Sequence, residues 1–152
     1  MKIKLFFLTL ILSLTSAFAH ADVSTSTDEN DVILAGHDAV AYFKQSKAVT
    51  GSAKFTAQHE GAVYWFSSAA NRDEFRKTPE KYAPAYGGYC AFGASLGKKF
   101  AVDGKAFEVV EDRLYVNKNL EVYDTWRKDI PNNIVKAEGQ WLKIHDIPAN
   151  KL

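Results

Sequence analysis

Two stretches of this chain alternate in the manner of strands, and several others repeat at helical spacing. Phe55–His59 and Ala62–Phe66 flank Glu60-Gly61, with glycine placed where a tight turn wants positive φ, and they predict a β-hairpin. Val63 and Trp65 alternate with Tyr64 and Phe66, so both faces of the second strand carry large side chains and should be covered. A second hairpin is predicted from Phe107–Val110 and Leu114–Val116 around Glu111-Asp112-Arg113.

Helix signals fill the intervals. Asp38 stands before Ala39-Val40-Ala41-Tyr42-Phe43 as an N-cap, and Ser68 stands before a helix through Asn71, Phe75 and Arg76. Pro79 suits the first position of a short helical turn, which Pro84 ends. Tyr89–Leu96 can be helical after Gly87-Gly88, a pair that lets another backbone pass close by. Leu120–Lys128 places Val122, Tyr123 and Trp126 on one side, and Pro131 closes it. A last helix is expected from Ile134, capped by Asn132 or Asn133, with Ala137, Trp141 and Ile144 on its inner face. Short antiparallel strands mixed with helices predict an α+β fold, a small single domain of β-hairpins packed with several short helices.

The ends read differently. Lys2 and Lys4 precede an apolar run from Leu5 to Leu14, and Ala17-Phe18-Ala19 and Ala19-His20-Ala21 are both small-x-small cleavage sites. Residues 1–21 are therefore expected to be a signal peptide, too short in its apolar part to span a membrane. A periplasmic or secreted protein follows, with no membrane association after cleavage. Residues 22–31 (DVSTSTDEND) are polar and acidic and read as a flexible leader. The domain is expected over 32–147, with 148–152 loose.

The full chain holds 19 basic and 18 acidic side chains, net +1, and loss of Lys2 and Lys4 with the signal brings the net charge to −1. So even a balance offers no grip on nucleic acid. Aromatic residues make up 13% of the chain, which favours a rigid ring-rich interior. One cysteine, Cys90, excludes an internal disulfide in an oxidising compartment.

The segment GHDAVAYF, followed by YWFSSAANRDEFRKTPEKYAPAYGGYCA, resembles the exported branch of the YHS-domain family, and the likeness runs from about Gly36 to Ile144. The resemblance implies heavy-metal handling, with a metal ion or a metal-handling protein as partner. Where the better-understood branch carries cysteines in its opening and in the turn after the aromatic strand, this chain has Ala41, Ser67 and Asn71. Those side chains offer no soft thiolate, so that metal site does not carry over.

Cys90 remains. In the first turn of a helix its thiol would meet unpaired N–H groups, with Lys98 and Lys99 close in sequence, and thiolate would be favoured. A thiolate with His37, at the turn beside Asp38, is the candidate ligand pair for copper or another soft transition metal. Against this stand two other readings: a small buried apolar residue, and a redox or nucleophilic thiol. His37 is also read, and more readily, as a turn residue bonding backbone. His59 sits at a hairpin end, His145 near a chain end, and His20 next to a cleavage site. No catalytic triad, haem-attachment or phosphate-loop motif is present. Three function classes thus stay open: a non-catalytic metal-capturing protein, an interaction or small-ligand module with a structural cysteine, and a thiol-based redox protein.

Overall fold

The computed structural model describes residues 23–152; the expected signal peptide, 1–21, lies outside them. The architecture is α+β, with two separate antiparallel hairpins and six helices, α1–α6, among the described residues. Helix α1 (Ala39–Gln45) leads into β1 (Ser52–His59) and β2 (Ala62–Phe66), then α2 (Ala69–Lys77), α3 (Pro79–Tyr82) and α4 (Ala91–Ser95). The second hairpin, β3 (Phe107–Val110) and β4 (Arg113–Val116), precedes α5 (Leu120–Trp126) and α6 (Ile130–Ile144). No described helix is long and apolar enough to cross a membrane.

Local chemistry accounts for most of these boundaries. His59 pairs with Ala62 across Glu60-Gly61, and Val110 with Arg113 across Glu111-Asp112, so both hairpins close through two-residue turns. All four turn residues have positive φ, although three are acids rather than the usual glycine or asparagine. The oxygens of Asp38, Ser68 and Asn119 accept helix-opening N–H groups, and Pro79 sits at the start of α3.

The last helix departs from expectation. It begins at Ile130 with Asp129 as its cap, and Pro131 lies inside its first turn, where a missing N–H costs nothing. Asn133, proposed as a cap, instead donates from Nδ2 to the carbonyl of Trp126 and fixes the α5–α6 corner.

Two cores share the interior. Tyr64, Phe66, Phe75 and Tyr82 pack with Leu34, Val40 and Leu114 around the first hairpin, and Phe75 lies 4.5 Å from Tyr64 and 5.1 Å from Phe66, centroid to centroid. Tyr86, Tyr115, Trp126 and Ala137 form the second, beneath α4 and α6. Each buried ring removes a large apolar surface from water, which makes these clusters the main source of stability.

The expected flexible leader is a docked strap. Thr25 and Ser26 are buried, Ser26 N–H donates to Gly87 O at 2.8 Å, and Thr27 bridges Ile33. Gly87 permits this passage, since a Cβ there would fall 1.8 Å from Ser24 O. Lys99 holds the strap to the other end of the chain, its Nζ donating to the carbonyls of Val23, His145 and Ile147 at 3.0, 2.6 and 2.8 Å. Those last two carbonyls close α6, where a cation also opposes the negative end of the helix dipole. Polar composition suggested disorder, but backbone pairing, one buried ammonium and the Asp28 carboxylate, which accepts Asn30 and Val32 N–H, hold the segment. The terminus expected to be loose contains one 3-10 turn, Ala149–Lys151.

Candidate functional site

Cys90 is the N-cap of α4, one residue before the helix rather than within it. Gly93 N–H donates to its Sγ at 3.4 Å, and the thiol donates to Asn117 Oδ1 at 3.6 Å. Asn117 stands just after β4, wholly buried, and its Oδ1 also accepts Phe92 N–H at 3.1 Å. Cys90 N–H pairs with Phe100 O. Only 1% of the cysteine is exposed, and burial pushes its thiol pKa up, partly offset by the nearby N–H groups of Gly93, Lys118 and Phe92.

This corrects the expected helix-activated thiolate. Desolvation of the charged form outweighs what one short helical turn returns. Lys99, expected to help, points instead at three carbonyls at the edge of the domain.

His37 is held elsewhere. Leu34, Ala35 and Gly36 all take positive φ, and this left-handed turn swings His37 back so that its Nδ1 lies 3.1 Å from Leu34 O. A carbonyl only accepts, so in the neutral ring Nδ1 carries the hydrogen and Nε2 keeps the lone pair. The fit is close: a Cβ on Gly104 would fall 2.4 Å from Nδ1, and the histidine is 7% exposed. The hydrogen bonds of Cys90 and His37 run to different partners and do not join the two residues. No group of three His, Cys, Asp or Glu side chains among the described residues is placed to hold a metal ion. Neither residue lines the clefts beside β3 or between the two hairpin turns.

Sequence reasoning treated Asp38 as a helix cap, and the structure makes it far more. Its Oδ1 accepts Val40 N–H at 2.9 Å and Ala41 N–H at 3.2 Å. Its Oδ2 accepts Ser67 N–H at 2.8 Å, Ser67 Oγ–H at 2.6 Å and Asn71 Nδ2–H at 2.8 Å. The carboxylate is fully buried and joins α1, the end of β2 and α2. Ala41, Ser67 and Asn71 all meet at this one side chain. The local signal found the first two donors; the other three come from residues 29 and 33 positions away.

Two buried donors near the second core are less well served. Asn117 Nδ2 and Trp126 Nε1 have no hydrogen-bond partner among the described residues. Each such group costs about 1–3 kcal/mol, so this side of the molecule carries more polar strain than the Asp38 side. No known family profile, curated protein or solved structure matches the chain.

Proposed function

We propose that this chain is a non-catalytic binding domain of YHS type in which Cys90 is a structural residue. The observation that carries this reading is the enclosure of the sulfur: Sγ is buried, accepts one hydrogen bond and donates another. Capture of copper or another soft ion through Cys90 and His37 requires an ionised, reachable thiol with the imidazole beside it. A desolvated thiol with a raised pKa supports that reading less, and the same property weighs against a redox or nucleophilic role.

The meeting of Ala41, Ser67 and Asn71 at Asp38 supports the YHS resemblance. Where the metal-handling branch would place thiols, this chain has a carboxylate saturated by hydrogen-bond donors. The basic, apolar and small-residue pattern of residues 1–21 supports export, which N-terminal sequencing of periplasmic protein checks.

Equilibrium dialysis of the wild type and Cys90→Ala against copper(I) and zinc(II) tests the central reading. The expected outcome is equal, near-zero retention in both. One tightly held ion per chain, lost with Cys90→Ala, would restore the metal-capturing role.

A further inference from the structure

The four strand edges are guarded unequally. The outer edge of β2 is covered by the segment before α1, with Ile33 N–H on Val63 O and Val63 N–H on Asp31 O. The outer edge of β4 is covered by Pro84, which bridges Leu114. On β1, Arg76 donates to Thr56 O at 2.9 Å, and the register breaks between Ser52 and Thr56. Bulges and charged side chains of this kind discourage further pairing.

The edge of β3 has no such cover. Val110 and Arg113 flank a two-residue turn and form a hydrogen-bonded pair, and Asn117 N–H on Ala106 O keeps the same phase. In an antiparallel ladder the intervening Phe107 and Val109 must then aim their N–H and C=O groups away from β4. None of those groups has a hydrogen-bond partner among the described residues. They border a groove of about 390 Å³, walled by Tyr42 and Ser46 from the α1 side and by Tyr123 of α5. Glu108 lies in it, bonded by the Tyr123 hydroxyl and in no ion pair among the described residues, and Lys105 stands at one end.

We propose that the β3 edge is a docking site for one extended peptide segment of a partner protein, added antiparallel as a third strand. The inference rests on the reading of the chain as a binding domain and names its surface. Backbone pairing with Phe107 and Val109 supplies the attachment. Charge supplies the choice: a basic side chain faces Glu108, β-branched residues face Phe107 and Val109, and an acidic residue three positions beyond the basic one reaches Lys105. A second copy of this chain fits less well. Pairing two β3 edges so that Phe107 of each meets Val109 of the other sets Glu108 against Glu108.

The test titrates isotope-labelled full-length protein with the capped peptide Gly-Thr-Val-Lys-Val-Thr-Glu-Gly and follows amide exchange. The expected result is saturable binding that slows exchange at Phe107 and Val109 by about tenfold or more. Val109→Pro removes an outward N–H without touching the hairpin ladder, so it should abolish binding while the amide of Asn117 stays protected. Glu108→Lys should transfer preference to the peptide with Glu in place of Lys. Failure of the peptide to protect the two amides would overturn the proposal, as would equal binding of both peptides by the wild type. Protection that appears without peptide and grows with protein concentration would overturn it in favour of self-pairing. Any of these failures, with Cys90 unreactive in the same folded sample, leaves the structural role of the cysteine standing. A reactive Cys90 removes that role whatever happens at the edge.

Discussion

Asp38 and Cys90 do the same local job with opposite reach. Each is the N-cap of a short helix, each is buried, and each follows a turn with left-handed residues. The carboxylate satisfies five donors on three elements, whereas the sulfur takes one N–H of its own helix and gives its proton to Asn117. The difference is chemical. A carboxylate has about four lone-pair directions and strong charge-assisted bonds, while sulfur accepts weakly and packs well. Asp38 therefore organises the fold, and Cys90 fills it.

Substitutions should separate the two centres, and the largest effect belongs to Asp38. Asp38→Ala leaves buried donors on three elements unpaired, and a loss of about 3–5 kcal/mol in urea unfolding is expected. A loss under about 1 kcal/mol would mean that water or a neighbour readily replaces the carboxylate. Ser67→Ala and Asn71→Ala each remove one donor from the same oxygen, Oδ2, and should cost about 1–2 kcal/mol each. Because they share that acceptor, the double variant should depart from additivity, which a double-mutant cycle measures.

Cys90→Ala should cost about 1–2 kcal/mol, a small cavity plus a lost cap. Cys90→Ser, which keeps an acceptor for Gly93 N–H, should cost less. Reversal of that order would show that packing of the sulfur outweighs its capping bond.

The smallest effect is one of pH. Cys90 holds its proton more tightly folded than unfolded, so its contribution is intact below the unfolded thiol's value of about 8.5 and is lost as the pH rises from there through the folded pKa. Tyr82, its ring buried and its hydroxyl bonded to Glu74, is raised to about 12 for the same main reason, desolvation. Its contribution is lost later, as pH climbs from about 10 toward that value. Stability of the wild type should therefore begin to decline above about pH 8.5, and Cys90→Ala should delay that onset to the tyrosine range. Identical alkaline profiles would mean that the thiol titrates alike in both states.

Much of the frame was legible because its causes are local. Gly61 closes the first hairpin, Asp38 and Ser68 open helices, Pro79 begins one, and Gly87 lets a second backbone pass. Each obeys a rule that spans a few residues. The start of α6 was misplaced by four residues because Pro131 reads both as a stop and as a first-turn residue, and only Asp129 in place as the cap decides. The strap was missed because its anchors, Gly87 and Lys99, lie some 60 to 75 positions further along the chain. The sequence leaves the three readings of Cys90 open for the same kind of reason. Its α4 cap is local, but its enclosure depends on Asn117 and Phe100, and a sequence window around Gly87-Gly88 contains neither.

The enclosure of that sulfur is most directly tested by alkylation of the folded protein with iodoacetamide across a pH series, beside the same protein unfolded in guanidinium. The expected result is native labelling slower by about a hundredfold or more at every pH, limited by opening of the domain, with the unfolded chain titrating near its ordinary value of about 8.5. Rapid labelling of the native state with a midpoint below about 8.5 would contradict it, and would return Cys90 to the surface as a reactive group.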